Sequence, residues 1–155
     1  MSRVRRLDHV AIAVRDTGTA IAELGERLGL QVAGSEERSD PPVRLTYLDA
    51  GNCFIQLVEP LDGSAEIAQW LAANGEGLHH VCFGVDSVLD AVAAIGGTGP
   101  PDALGSGRGR PSAFVPEPVC GARIECTEFS HHLDVEQTTG WLPGPGYSAR
   151  SRATS

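Results

Sequence analysis

The segment GEGLHHVCFGVD, residues 75–86, places two adjacent histidines directly before an alternating apolar run. In a β-strand, neighbouring side chains point to opposite faces. Only one of the pair can then share a face with Cys82 and Gly84, and that residue is His80. A structural histidine at the start of a strand is the simplest explanation of such a pair, and the rest of the chain decides whether it suffices.

The same pattern occurs earlier in the chain and indicates an internal duplication. HVAIAVRD begins at His9 and HVCFGVDS begins at His80, and both read His-Val-x-apolar-x-Val before a polar residue. In each half the closing strand carries an isoleucine followed by an acceptor, which is Gln56 in the first half and Glu125 in the second. The repeat predicts two equivalent modules, each with a strand, a helix and further strands.

Three helices are predicted from the spacing of apolar residues. Residues 17–28 and 87–95 place apolar side chains on one face and end at glycines. Between the two halves, SAEIAQWLAAN at residues 64–74 indicates a third helix with Ser64 as its N-cap.

The length of 155 residues fits one domain, which we place at residues 1–140. Module one covers about residues 7–61 and module two about 78–129, while residues 141–155 are expected to form an extended or disordered tail. The net charge of −8 argues against nucleic acid or a membrane surface as a partner. Four cysteines without a CxxC pair favour reduced thiols and a cytoplasmic protein.

Four side chains at repeat-equivalent positions can bind a metal: His9, Gln56, His80 and Glu125. The strand positions beside the two histidines hold small residues, which leave room for a metal and a substrate. Two imidazoles, an amide oxygen and a carboxylate suit one divalent ion of Co, Mn, Ni, Fe or Zn. Four protein ligands leave positions open on an octahedral ion, as a catalytic site requires.

Other histidines and the cysteines are assigned structural roles. His79 has the opposite parity to His80 and is expected outside the ligand set. His131 and His132 follow the last strand and are expected at the surface. The cysteines are expected to be small buried apolar residues.

At these residues the sequence resembles the vicinal oxygen chelate superfamily, and within it the methylmalonyl-CoA epimerases. The stretches that carry the resemblance are LDHVAIAVRD, LDAGNCFIQLVEPLDGSAEIAQWLAANGEGLHHVCFGVD and CGARIE, within roughly residues 7–128. The resemblance implies an α+β fold in which two paired βαβββ modules form a metal-centred, cup-shaped sheet. It carries the metal-ligand roles onto His9, Gln56, His80 and Glu125.

Three features depart from the epimerase pattern. The segment SDPPVRL ends in Leu45, where some epimerases have a glutamate proposed as a base, and FVPEP at residues 114–118 replaces a segment with histidine and lysine. The chain has no lysine, so the phosphates of a CoA would have to meet arginines such as Arg108 and Arg110. Both lie in the glycine-rich loop GSGRGR, which is expected at the mouth of the cup; the alternative is a solvated connector.

The leading interpretation is a metal-dependent epimerase of a 2-methylmalonyl-CoA-like thioester that acts through a stabilised enolate. Glu125 is a candidate base, and the second base is not identified; Glu59, Glu37 and a metal-bound water are weak candidates. A second interpretation is a secondary-metabolism isomerase, cyclase or lyase acting on an enolisable 1,3-dioxygenated substrate. A third is an antibiotic-binding protein without catalysis, although such relatives commonly lack the ligands present here.

The expected partner is a small-molecule substrate, with an acyl-CoA as one candidate. Neither nucleic acid nor a membrane is expected. Paired modules also permit dimeric or domain-swapped assembly, and we expect a homodimer.

Overall fold

The computed structural model describes residues 3–96, 105, 107–128 and 142–143. These residues form eight strands and three helices. In chain order they are β1 (Val4–Ala13), α1 (Thr17–Leu28), β2 (Gln31–Ser39), β3 (Pro42–Asp49), β4 (Phe54–Pro60), α2 (Glu66–Asn74), β5 (Gly77–Val85), α3 (Val88–Ala94), β6 (Ser112–Phe114), β7 (Ile124–Glu128) and β8 (Leu142–Pro143).

All the strands belong to one sheet in the order β6-β7-β5-β1-β4-β3-β2-β8. The sheet repeats its own plan on either side of its centre, where β1 and β5 pair antiparallel. In the first half β1 runs parallel to β4, which pairs antiparallel with β3. In the second half β5 runs parallel to β7, which pairs antiparallel with β6. The sheet curls into the expected cup, and the α+β prediction is confirmed.

The second half shows βαββ among its described residues, whereas the first shows βαβββ. The counterpart of β2 would precede β6, where residues 97–104 and 106 lie outside the described part of the chain. The predicted tail and the His131–His132 pair also lie outside it, except that Leu142 and Pro143 form the short strand β8 beside β2.

Local sequence explains the ends of α1 and α3. The Asp16 carboxylate accepts a hydrogen bond from the Thr19 amide at 2.7 Å and caps α1, and Gly29 ends the helix with a left-handed φ of 69°. The Ser87 hydroxyl caps α3 by accepting from the Asp90 amide. Both predicted helices are confirmed.

The start of α2 differs from the prediction. The helix begins at Glu66 with Ala65 as its N-cap, and no side chain caps it. Both the amide and the hydroxyl of Ser64 donate to Asp62, at 2.7 and 2.6 Å. The predicted N-cap role of Ser64 is wrong because a nearby aspartate engages that side chain in the preceding turn.

The helices divide between the two faces of the sheet. Helix α1 packs Ile21 and Leu24 against Leu48 and Leu57 on the outer face. Helix α2 packs Ile67 and Leu71 against a different cluster, to which Ala11, Leu45, Tyr47 and Phe54 belong. The inner face is therefore partly roofed by α2, and the cup lies beneath it. No helix among the described residues is long and apolar enough to cross a membrane.

Candidate metal centre

The strand register brings the four repeat-equivalent residues onto one face of the sheet. Ala11 pairs with Gln56 on one side and His80 on the other. In the neighbouring row, Cys82 pairs with His9 on one side and Glu125 on the other. Since cross-strand partners point to the same face, the four side chains surround two small residues. The duplication seen in the sequence is thus repeated in the pairing.

Three of these side chains meet at one point. His9 Nε2 lies 3.4 Å and His80 Nε2 lies 3.1 Å from the same atom, Glu125 Oε2. One ligand atom from each residue lies within 4.8 Å of the others, and all three residues are buried. Among the described residues neither Nε2 atom has a hydrogen-bond partner. Two buried imidazole nitrogens facing a carboxylate fit the donor set of a divalent metal.

Gln56 is the fourth predicted ligand and lines the same cavity as His80 and Glu125. Its Nε2 donates to the Tyr47 hydroxyl at 2.7 Å. That bond fixes the amide, and the oxygen is the atom with which the amide can bind a cation. Tyr47 was not singled out from the sequence.

Further contacts orient the ligands from behind. Asp8 Oδ1 lies 2.8 Å from His9 Nδ1, and this contact favours the tautomer that directs the Nε2 lone pair towards Glu125. The Ser112 hydroxyl donates to Glu125 Oε1 at 2.7 Å, which leaves Oε2 towards the histidines. Neither Asp8 nor Ser112 was predicted as part of the site.

The site holds two ionised carboxylates. Burial opposes the charge of Asp8, but the Arg108 guanidinium and the His9 hydrogen bond outweigh it and hold its pKa well below the usual range. Burial also opposes the charge of Glu125, while the close imidazoles of His80 and His9 keep its pKa well below the usual range.

The pKa values of His9 and His80 shift in opposite directions. Burial lowers the pKa of His80, so its imidazole is neutral at pH 7. Burial also acts against a charge on His9, but the neighbouring carboxylates Asp8 and Glu125 overcome it and raise its pKa. A metal at Nε2 would therefore compete with a proton on His9.

A second group of metal-capable atoms comprises Asp8, His9 and Cys82. The guanidinium of Arg108 already forms a buried ion pair with Asp8 and supplies a positive charge there. Burial raises the pKa of Cys82, so its thiol stays protonated. The cluster of His9, His80 and Glu125 is therefore the better cation site.

The placement of His79 contradicts the simple alternation argument. The β1–β5 register shifts between Ala11 and Ile12, which pair with His80 and Leu78 and leave His79 between them. The Nδ1 atoms of His79 and His80 lie 2.8 Å apart, and both side chains line the cavity. Burial lowers the pKa of His79 to about 4. His79 is in neither group of metal-capable atoms, and its place outside the ligand set stays a prediction.

A cavity of about 130 Å³ lies beside the candidate ligands, and Gln56, His80 and Glu125 line it. Its wall is mainly apolar and includes Val43, Leu45, Val58, Ile67 and Phe114. That volume accommodates a small acyl group. Leu45 confirms that no carboxylate stands at the position where some epimerases have one. Glu59 and Glu37, the weak candidates for a second base, instead bind Arg44, at 2.8 and 2.7 Å.

The positions of Arg108 and Arg110 differ from those expected at the mouth of the cup. Gly105 lines the cavity, but Arg108 turns inward, is buried and pairs with Asp8. Arg110 Nη1 lies 3.7 Å from the other oxygen of Asp8. Neither arginine is among the residues that line the cavity, and substrate binding by Arg108 and Arg110 stays a prediction. The guanidiniums at the cavity belong to Arg38 and Arg123, and Arg123 also contacts His79 Nε2 at 3.2 Å.

Comparison with known proteins places this architecture in a family. The family model described as Glyoxalase/Bleomycin resistance protein/Dioxygenase superfamily matches residues 8–101, more than half of the chain. The chain is 33% identical over 131 residues to the ethylmalonyl-CoA/methylmalonyl-CoA epimerase of Cereibacter sphaeroides, covering 79% of this chain and 96% of that protein.

Solved structures agree with the sequence relatives. A variant of the Streptomyces coelicolor methylmalonyl-CoA epimerase in complex with 2-nitronate-propionyl-CoA matches with a TM-score of 0.73 and 27% identity, covering 83% of this chain and 99% of that chain. A methylmalonyl-CoA epimerase in complex with methylmalonyl-CoA and NH4+ matches with a TM-score of 0.74 and 26% identity, covering 83% and 97%. The chain therefore belongs to the glyoxalase/bleomycin resistance protein/dioxygenase superfamily, in which its relatives include methylmalonyl-CoA epimerases.

Proposed function

We propose that this protein is a metal-dependent epimerase of a 2-methylmalonyl-CoA-like thioester. The observation that carries the proposal is the buried cluster of His9, His80 and Glu125, in which both Nε2 atoms face one carboxylate oxygen beside a small apolar cavity. The similarity to epimerases over most of the chain supports the substrate class.

We assign four ligands to one divalent cation of Co, Mn, Ni, Fe or Zn: His9, Gln56, His80 and Glu125. The neutral imidazole of His80 and the ionised carboxylate of Glu125 are ready to bind it. When bound, the cation supplies Lewis acidity that stabilises negative charge on the oxygens of a thioester enolate.

The residues around the cavity supply positioning, exclusion of water and a proton acceptor. The apolar wall around Leu45 and Val58 lowers the local dielectric, which strengthens interactions between an enolate and the polar groups beneath it. We propose Glu125 as a base as well as a ligand, since its lowered pKa keeps it able to accept a proton at neutral pH. The same low pKa makes it a weak base, so proton removal depends on an acidified carbon.

Recognition of the CoA portion is assigned to the arginines that line the cavity. Arg38 and Arg123 are placed to meet a phosphate or carboxylate. Substrate binding by Arg108 and Arg110, which the sequence predicts, would require both to leave Asp8. We therefore propose Arg38 and Arg123 first for this role.

One observation favours a second candidate function. Leu45 is buried at the cavity where some epimerases have a glutamate proposed as a base. A cup without that group also suits an isomerase, cyclase or lyase that acts on an enolisable 1,3-dioxygenated substrate in secondary metabolism. Such a substrate would use the same cation and need one proton acceptor.

Exchange of the hydrogen at C2 of methylmalonyl-CoA distinguishes the two candidate functions. Protein loaded with Co²⁺ or Mn²⁺ and given methylmalonyl-CoA in D₂O should incorporate deuterium at C2, as followed by mass spectrometry. Glu125→Gln should be far slower, whereas Glu37→Gln, on the outer surface, should match wild type. Exchange at the rate of a buffer blank with metal-loaded wild type would exclude the epimerase and favour the second candidate.

We further propose a cytoplasmic location and a homodimer. None of the four cysteines, Cys53, Cys82, Cys120 and Cys126, forms a disulfide bond, which fits a reducing compartment. Analytical ultracentrifugation tests the dimer.

A further inference from the structure

We infer that Arg108 is a positioning residue for the metal centre, acting on His9 through Asp8. The inference rests on the proposed function, since it assumes a cation held by His9. It concerns a residue from the second half of the chain that supports ligands supplied by the first half.

His9 and Arg108 contact the same carboxylate oxygen of Asp8. Asp8 Oδ1 contacts His9 Nδ1 at 2.8 Å and also accepts from Arg108 Nη2. Arg6 Nη2 and Arg110 Nη1 approach the other oxygen, at 3.1 and 3.7 Å. Arg108 is thus the arginine bound to the carboxylate oxygen that orients the imidazole.

All three side chains of this chain of contacts are buried. The Asp8 and His9 side chains are fully buried, and that of Arg108 is 1% exposed. A carboxylate out of water needs an opposite charge, and a buried ion pair is rigid because its partners cannot turn to solvent. Arg108 therefore fixes the direction in which Asp8 holds His9 Nδ1, and with it the direction of Nε2.

The backbone around Arg108 holds its side chain in place. Its backbone N–H donates to both Glu36 oxygens, at 3.1 and 3.2 Å. Its φ of 58° follows a Gly107 φ of 78°, so the chain turns sharply enough to send the side chain inward. A Cβ at position 107 would collide with Glu36 and Tyr47.

The guanidinium also reaches the second ligand of the first half. Its Cζ lies 4.7 Å from the centre of the Tyr47 ring, and the Tyr47 hydroxyl accepts from Gln56 Nε2. One arginine therefore stands behind both His9 and Gln56.

The test measures metal affinity without turnover. Co²⁺ is titrated into metal-free protein, and the dissociation constant and the visible spectrum of the Co²⁺ complex are recorded. Residues that orient ligands from outside typically contribute about 10–100-fold in metal affinity. We expect Arg108→Gln to weaken Co²⁺ binding by about tenfold or more and to change the spectrum, and Arg108→Lys to recover part of the affinity. Arg5→Gln, which removes an exposed arginine paired with Asp86, is the matched control and should leave both readouts unchanged.

A double-mutant cycle shows whether Arg108 acts through Asp8. In the Asp8→Asn background, Arg108→Gln should add less than about a threefold further loss, since the carboxylate it holds is gone. If Arg108→Gln alone fails to fold, Asp8→Asn is compared with the double variant, which removes both buried charges; a further loss of about tenfold or more between these two would also overturn the inference. Equal losses in the two backgrounds, or wild-type affinity in folded Arg108→Gln, would overturn the inference.

These outcomes are distinct from failure of the proposed function. If wild-type protein does not bind Co²⁺, both the proposed function and this inference fall. If wild type binds Co²⁺ and exchanges the C2 hydrogen while folded Arg108→Gln binds equally well, only the role of Arg108 is wrong.

Discussion

Ser112→Ala tests whether a hydroxyl holds the carboxylate of the candidate metal centre. Ser112 Oγ donates to Glu125 Oε1 at 2.7 Å, and the two residues are 1% and 2% exposed. A charged acceptor left without its donor at such a buried position costs about 1–3 kcal/mol. We expect the free energy of unfolding of metal-free protein to fall by about 2 kcal/mol, which for a chain of this length lowers Tm by about 4–8 °C.

The same variant should bind Co²⁺ about tenfold more weakly, since Glu125 is no longer held in one orientation. Urea unfolding followed by circular dichroism gives the stability, and Co²⁺ titration gives the affinity. Ser87→Ala is the matched control: it removes the cap of α3 and should cost about 1 kcal/mol in stability while leaving Co²⁺ affinity unchanged. Ser112→Thr keeps a hydroxyl and should restore part of both losses. Stability of Ser112→Ala within about 0.5 kcal/mol of wild type, together with wild-type Co²⁺ affinity, would show that Ser112 does not hold the Glu125 carboxylate.

Two further predictions concern the cavity wall. Arg38→Gln and Arg123→Gln should each raise KM for methylmalonyl-CoA by about tenfold, with a penalty that shrinks at high salt as charge interactions are screened; steady-state kinetics at two salt concentrations checks this, and an unchanged KM in both variants would remove these arginines from recognition. The pKa of His79 is lowered to about 4 in the folded protein, so the unfolded chain binds more protons and the stability of metal-free protein should fall as the pH drops from about 6.5 to about 4. Urea unfolding across that range should show a shallower fall for His79→Gln, and parallel curves would contradict the assignment.

The repeat made the grouping of the four candidate ligands predictable from the sequence. His9 and Gln56 recur as His80 and Glu125 at matching positions, and the register then places all four around Ala11 and Cys82. The helices α1 and α3 were also predictable because local caps define their ends. These features depend on residues close together in sequence or on the duplication itself.

The features that the sequence could not predict arise from irregularities in the strands and from contacts between residues far apart in the chain. Register shifts after Leu7 and after Ala11 bring Asp8 beside His9 and His79 beside His80, which strict alternation forbids. Arg108 meets Asp8 across 100 positions of chain, through a turn with left-handed backbone. The one sequence signal that could have pointed to such a partner is Asp8 within the apolar strand β1, because an aspartate buried there requires a cation.

The most direct test of the metal centre is the Co²⁺ content of purified chains after loading and dialysis, measured by inductively coupled plasma mass spectrometry. We expect about one ion per chain in wild type and almost none in His9→Ala and His80→Ala. His79→Ala, which changes the neighbouring imidazole that lies outside the ligand cluster, should retain its ion. Stoichiometric Co²⁺ in both His9→Ala and His80→Ala would contradict the ligand set and, with it, the proposed chemistry.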